Sequence, residues 1–240
     1  MKIVTWNIWF ASFENASRWD ALISEVLAER PDVIALQEVT APVMERIRVD
    51  PRLSSWWCSD PHLDVKSHYD VVLLVSLPPV RFERVQLTSR MGRALVHTRI
   101  SGLTVGTVHL ESLRPSVEWR ARQLAEISAA FAQTPDVLFM GDMNFADGDL
   151  EDELPGAPWR DLWRELHPAR DGFTVDTERN VMRQLSKDGR YYRGRYDRVF
   201  LKSERWVVKR ARLLGDEPIG EDPTTFPSDH FGVSMELCRR

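Results

Sequence analysis

The stretch Asp136–Asn144, DVLFMGDMN, runs four consecutive apolar residues into a glycine and then ends on a carboxylate and an amide. A continuous apolar run bounded by turn signals reads as a strand buried on both faces. Polar groups at its tip are costly to bury unless they are paired, hold a cation or line a cleft. The pattern recurs along the chain. Asn7 lies inside VTWNIW, Glu38 ends DVIALQEV, His109 ends LTVGTVHL, Asp197 opens YDRVFL, and Asp229-His230 precede FGVSMEL. Taken singly, each has a plain structural explanation: a structural amide, a satisfied core histidine, a turn residue. Together, acids, amides and imidazoles at successive strand ends point to one cleft at a sheet edge.

Working outward, Ile3–Phe10 reads as a strand, and Ser17 caps a helix in which Trp19, Leu22, Ile23, Val26 and Leu27 repeat at helical spacing. Pro31 ends that helix, and Asp32–Val39 returns as a buried strand, completing a β-α-β unit. A helix follows at Pro42–Val49, then strands at Tyr69–Leu77, Ala94–Ile100 and Leu103–Leu110, the last two joined at Ser101-Gly102. Ser116–Ala132 reads as a long helix feeding Asp136–Met140. A short helix at Trp159–Leu166, strands at Tyr196–Leu201, Trp206–Leu213 and Phe231–Leu237, and a loop at Gly215–Pro227 complete the chain. Strands outnumber helices, and the helices are spaced to cover the outer faces of two packed sheets. The expected class is therefore α+β, a two-layer β-sandwich flanked by helices.

Composition sets the outer bounds. The 240 residues are 43% hydrophobic and 28% charged, which excludes a disordered or fibrous chain and suits one domain over residues 1–240. No apolar run is long enough to span a bilayer, and MKIVTWNIWF lacks a cleavage-site pattern, so the expectation is a cytoplasmic protein with no membrane partner. Two cysteines, Cys58 and Cys238, supply neither a disulfide framework nor a four-ligand zinc site. Of the tryptophans, Trp19, Trp119 and Trp163 are expected in the core, and the Trp56-Trp57 pair, in the polar stretch running to His68, is placed in a loop near the site.

The residue types limit the chemistry. Carboxylates and amides without a cysteine cluster suit a hard cation such as Mg²⁺, with Mn²⁺ as a substitute. There is no Walker-type glycine loop and no G-x-S-x-G elbow. Metal-assisted hydrolysis of a phosphate ester is what remains.

The same residues carry a resemblance. TWN (Thr5–Asn7), LQEV (Leu36–Val39), GDMN (Gly141–Asn144) and SDH (Ser228–His230) resemble, in order, the motifs of the endonuclease/exonuclease/phosphatase superfamily. HLES-x-R (His109–Arg114), FTVDT-x-x-N (Phe173–Asn180), R-Y-D-R-V-F (Arg195–Phe200), LLG (Leu213–Gly215) and FPSDHFG (Phe226–Gly232) narrow the resemblance to its tyrosyl-DNA phosphodiesterase branch. The resemblance implies that Glu38 ligates the cation, with Asn7 and Asp229 positioning it. It further implies that Asp142 activates water beside Asn144, and that His109 and His230, the latter oriented by Asp197, stabilise the transition state. Glu111, Ser112 and Arg114 inherit contacts to the 5′ end of a substrate strand. Two positions depart from the branch. Trp9 stands where it has an aspartate, and Val175 stands where it has a tryptophan, leaving Trp9, Phe145 or Tyr196 as the aromatic platform.

The implied activity is cleavage of 5′-phosphotyrosyl or related 5′-terminal adducts on DNA or RNA by a monomer acting in repair. The alternatives keep the fold and change the role: a general nuclease, an abasic-site endonuclease, a small-phosphoester phosphatase, or a non-catalytic nucleic-acid-binding module. The net charge of −4 disfavours a uniformly basic coat protein. From Arg179 to Arg212, however, twelve Lys or Arg face three acids, a local charge of +9, while Asn144–Asp161 is acidic. A charge run is usually a solvated face, but beside the Asp197 motif the basic segment reads as a path for a polyanion.

Overall fold

The computed structural model describes residues 1–12, 15–60, 69–77, 81–182 and 192–240. His68, Arg183, Lys187 and Arg190, each part of an expectation above, lie outside the described residues. Two six-stranded mixed sheets pack face to face. The first has the order β13 (Trp206–Leu214), β14 (Gly232–Arg239), β1 (Lys2–Asn7), β2 (Val33–Val39), β4 (Asp70–Val75), β3 (Trp57–Cys58). The second runs β5 (Phe82–Gln86), β6 (Ala94–Ile100), β7 (Leu103–His109), β8 (Val137–Asp142), β12 (Asp197–Lys202), β9 (Arg160–Asp161). A small ribbon pairs β10 (Val175–Asp176) with β11 (Arg193–Gly194).

Period-two alternation divides each central strand between two cores. Ile3, Val33, Ala35 and Leu73 from the first sheet meet Val105, Leu138, Met140 and Val199 from the second in the inter-sheet core. Val4, Trp6, Ile34, Leu36 and Val72 point outward beneath α1 (Asn15–Ala28) and α2 (Ala41–Val49). On the opposite outside, Val108, Phe139 and Phe200 lie beneath α3 (Val117–Ala130), which contributes Leu124 and Ile127. The four-layer α/β/β/α arrangement is the sandwich the sequence pattern implies.

Local departures have physical reasons. α1 already includes Asn15, so Ser17 is not its cap. The expected strand Ile3–Phe10 ends at Asn7, because the chain turns there and Trp9 takes a positive φ of 59°. β5 has no apolar run to announce it: as an edge strand it leaves Glu83, Arg84 and Gln86 exposed. Trp119 is half-buried beneath the Arg90 guanidinium rather than in the core. Trp57 sits on edge strand β3 opposite Val75, which pairs with Val33 at the start of β2, so the Trp56-Trp57 pair lies at the end of the sheet remote from Glu38. No described helix is long and apolar enough to cross a membrane.

Candidate active site

Register builds the site. In the second sheet His109 pairs with Asp142 across β7 and β8, and Asp197 pairs with Asp142 across β12 and β8. Side chains directly opposite one another share a face, so all three project from one row toward the first sheet. Asn7 faces them from the tip of β1. Glu38 is aimed by a register irregularity in β2 between Leu36 and Val39, where it adopts φ 63°. A bulge of this kind re-aims one side chain while leaving the flanking pairing intact. Asn144, at φ 55°, turns the chain immediately after β8. Positive φ at Trp9, Glu38 and Asn144 concentrates backbone strain around the cleft. Gly141 is obligatory: at φ 141°, a Cβ there would lie 1.9 Å from the Val108 carbonyl oxygen.

The side chains form one network. Asn7 donates through Nδ2 to Glu38 Oε1 at 3.2 Å and to Asp142 Oδ2 at 2.9 Å, joining the two sheets. Asp142 Oδ1 accepts the Asn144 backbone amide at 2.8 Å. His109 Nε2 lies 3.4 Å and His230 Nε2 4.0 Å from Asp142 Oδ2. His230 Nδ1 is 2.7 Å from Asp197 Oδ2, which turns Nε2 toward Asp142. Ser228 donates to the Asn7 carbonyl at 2.6 Å and accepts from the His230 amide, and the Trp6 indole donates to the His230 carbonyl. Thr174 Oγ1 accepts the amides of both Tyr196 and Asp197 at 3.0 Å.

Protonation follows from burial and these neighbours. Partial burial, then the nearby Asp229 charge, push Glu38 up to about 7. Burial opposes the charge on Asp142, but His109, His230 and the hydrogen bonds from Asn144 and Asn7 outweigh it and hold the carboxyl below its ordinary range. Burial likewise opposes a charged His230, yet the Asp197 carboxylate raises it to about 9. A low-pKa carboxylate therefore faces an imidazolium across the cleft.

Among the described residues no group of three or more His, Cys, Asp or Glu side chains closes into a metal cage. Glu38, the Asn7 amide oxygen and Asp229 offer an open set of oxygen donors, and Asn7 Oδ1 already accepts the Trp9 amide at 3.0 Å. That fits Mg²⁺ or Mn²⁺, which bind through one or two carboxylates and complete their shells with water and phosphate oxygens. It does not fit a structural zinc site.

Asn7, Glu38, His109, Asp142, Asn144, Asp197, Asp229 and His230 thus gather at one end of the sandwich. Ser112 and Arg114 stand at its flank, Ser112 accepting from Arg93 at 2.8 Å and Arg114 exposed. Glu111 does not present its carboxylate to a substrate: it is 1% exposed and accepts from Ser89, the Arg90 amide and Gln123, anchoring the 88–93 loop. Phe145 is also corrected, being fully buried with Arg198 stacked over its ring. Trp9 is half-buried between the Arg18 guanidinium and the Met182–Phe226–Phe231 cluster. Tyr196 is half-buried across Gly194 and edge-on to Tyr192. Val175 is buried, so it offers no surface where the branch has its tryptophan.

Sequence reading missed Arg93, Tyr69, Phe10 and Arg18. Arg93 is buried, lies 3.3 Å from His109 Nδ1, donates to Tyr69 and Ser112, and leaves its Nε without a partner. No carboxylate bonds it among the described residues. Its signal was a cation opening the apolar strand ALVHT, the strand-end pattern read from the other end. Arg18 donates to the carbonyls of Ile8, Trp9, Ala11 and Pro227, tying the loop after β1 to the loop before His230.

The two charge runs meet at two arginines. Arg195 and Arg198 are buried and pair with Asp147, Asp152 and Asp161. Arg193 pairs with Asp176, Arg205 with Asp136, and Arg212 with Glu29. Arg195 and Arg198 are therefore internal structure, whereas Arg179, Arg193, Arg205, Arg210 and Arg212 keep exposed side chains, each beside a carboxylate.

A model of the Endonuclease/Exonuclease/phosphatase family matches residues 4–230. Tyrosyl-DNA phosphodiesterase 2 of Mus musculus is 28% identical over 254 residues, covering 99% of this chain and 66% of its own length. The Xenopus laevis protein of the same name is 26% identical, covering 98% and 65%. The chain thus spans about two thirds of the length of these curated relatives. Among solved structures, D. rerio TDP2 complexed with single strand DNA product superposes with a TM-score of 0.82 at 25% identity, over 99% of this chain and 98% of that one. A 3′-5′ exonuclease from Neisseria meningitidis shares the fold at a TM-score of 0.71 and 18% identity, over 98% and 99% of the two chains.

Proposed function

The chain belongs to the Endonuclease/Exonuclease/phosphatase family, and from that premise we propose that it is a divalent-cation-dependent phosphodiesterase, one domain over residues 1–240, acting in DNA repair. Its substrate in this reading is a 5′-phosphotyrosyl or related 5′-terminal ester on DNA. The observation that carries the reading is the Asn7 bridge, which brings the Glu38 carboxylate and the Asp142 carboxylate onto one amide while His109 and His230 converge on the same Asp142 oxygen.

In that reading Glu38, with Asn7 and Asp229, holds the cation, which when bound withdraws charge from the phosphoryl oxygens. Asp142, ionised through the neutral range, orients a water and accepts its proton as the water oxygen bonds to phosphorus. Asn144 fixes the Asp142 carboxylate through its backbone amide. The bond to the leaving oxygen breaks with the electron pair departing on that oxygen. His109 and the His230 imidazolium donate to the non-bridging oxygens as negative charge grows, preorganised by Arg93 and Asp197 respectively. Arg93, a buried cation with no acidic partner among the described residues, favours an anionic substrate.

The test is a panel of 5′-tyrosyl, 5′-phosphoryl and abasic oligonucleotides with Mg²⁺ or Mn²⁺ added and withheld. The expected outcome is cation-dependent release of tyrosine that Asp142→Asn reduces at least ~100-fold, the scale of losing a positioned acid-base group. No release from the tyrosyl substrate, or activity indifferent to Asp142→Asn, rules the reading out.

A further inference from the structure

Arg18 stands in the first turn of α1, where the helix dipole disfavours a cation, and it is only 2% exposed. Its guanidinium donates to main-chain carbonyls of two loops. Nη2 reaches Ile8 at 2.6 Å and Trp9 at 3.1 Å, Nη1 reaches Ala11 at 3.0 Å, and Nε reaches Pro227 at 3.2 Å. The Trp9 ring covers the group, its centroid 4.7 Å from Cζ. Burial lowers the Arg18 pKa to about 10 against the opposing pull of Asp229 and Glu38, so the side chain is charged at neutral pH.

The two loops carry the oxygen donors of the cleft. The Trp9 amide donates to Asn7 Oδ1 at 3.0 Å, which turns Nδ2 toward Glu38 and Asp142, and the Phe10 amide donates to Glu38 Oε2 at 2.9 Å. These amides belong to the same two peptide units whose carbonyls, Ile8 and Trp9, accept from Arg18. A peptide unit is planar, so fixing its carbonyl fixes its N–H. Each unit is thus gripped by Arg18 at one edge and aims a site residue at the other. Trp9 holds a strained φ of 59°, a conformation that persists only where the surroundings determine it. On the second loop, Asp229 follows Pro227 by two residues.

We propose that Arg18 is a positioning residue that sets the cation affinity of the site: by clamping the Ile8–Trp9 and Trp9–Phe10 peptide planes to the Pro227 loop, it aims Asn7 and Glu38 and fixes their spacing from Asp229. The inference rests on the divalent-cation reading and goes beyond it in naming the residue that assembles the donors. Charge and position act in opposite directions here. A guanidinium near Glu38 and Asp229 repels a divalent cation, so removing the charge alone would tighten binding. Losing the clamp weakens it, and the sign of the change separates the two.

The experiment measures Mn²⁺ binding by calorimetry, without substrate, in wild type, Arg18→Met, Arg18→Lys and Arg198→Met, each at a temperature where circular dichroism shows it folded. Arg18→Met is expected to weaken Mn²⁺ binding about 10- to 100-fold, the scale of losing an outer partner of a metal ligand. Arg18→Lys keeps the charge but offers one nitrogen to four carbonyls on two loops, and should weaken binding by a smaller factor. It decides the matter alone if Arg18→Met does not fold. Arg198→Met removes a buried arginine outside the cleft and should bind Mn²⁺ as the wild type does. An equal loss in Arg198→Met traces the effect to stability and overturns the inference. Wild-type or tighter affinity in either Arg18 variant also overturns it and leaves the proposed function intact. A protein whose Mn²⁺ affinity depends on Arg18 but which releases no tyrosine refutes the proposed substrate alone, whereas a wild type that binds no Mn²⁺ overturns both.

Discussion

Glu38 titrates near pH 7 in the cation-free protein, because partial burial and the Asp229 charge both oppose its ionisation. Cation binding requires the carboxylate, so a proton and the cation compete for it. With a pKa of about 7, roughly nine-tenths of Glu38 is protonated at pH 6 and roughly one-tenth at pH 8. The apparent dissociation constant for Mn²⁺ should therefore weaken about tenfold between pH 8 and pH 6. Binding should release about 0.9 proton per ion at pH 6 and about 0.1 at pH 8. Calorimetry in two buffers of different ionisation enthalpy measures both quantities.

The same shift has a stability counterpart with a definite sign. Between about pH 4.5, the ordinary value, and about 7, the folded cation-free protein retains a proton that the unfolded chain has released. Raising the pH through that window therefore removes stability, and the loss is complete above pH 7. Glu38→Gln should abolish that slope together with most cation affinity, and added Mn²⁺ should raise the wild-type melting temperature most at high pH. Proton release that does not vary between pH 6 and 8, or wild-type affinity in Glu38→Gln, would refute the assignment.

Other expectations follow from particular contacts. Asp197→Asn removes the charge that lifts His230 to about 9, so the alkaline limb of the pH–rate profile should move down toward the ordinary imidazole value of 6.5. Gly141→Ala forces a Cβ into the Val108 carbonyl and should lower stability by about 3 kcal/mol or more, read as a fall in denaturation midpoint. Arg198→Met removes one of several guanidiniums on Asp147 and Asp152, which keep Arg195 and Arg164, and should cost about 1–3 kcal/mol in chemical denaturation, with a much smaller effect on kcat because none of its partners belongs to the cleft. Gln37→Leu leaves the buried Thr5 and Thr107 hydroxyls without their shared partner, at about 1–3 kcal/mol; Thr5→Val and Thr107→Val added together should recover most of that loss.

What was legible in the sequence was whatever is written in short-range pattern. Apolar strands terminating in polar residues appear as such in one dimension, and antiparallel or parallel pairing then brings those tips into one row, as His109, Asp142 and Asp197 show. The aim of Glu38 was not legible. It depends on an irregularity in the pairing of β2 with β4, and LQEV reads the same whether or not the strand is bulged. Arg93 escaped because a lone arginine carries no motif, and its significance lies in contacts with His109 and Tyr69 from other strands and loops.

The charge runs show why linear counting fails at longer range. A local excess of +9 suggests a surface only if its counter-charges are elsewhere. Here the acids of residues 147–161 fold back on Arg195 and Arg198 across about 35 to 50 positions of chain. Burying those guanidiniums is tolerable only because the carboxylates come with them, so Arg195 and Arg198 depend for their burial on acids from the other run. Positive charge free to meet a phosphate is then a matter of which arginines lack acids, not how many there are. Arg93 in the cleft and Arg114 at its flank satisfy that criterion, and both belong to the loop pair around His109 rather than to the segment richest in basic residues.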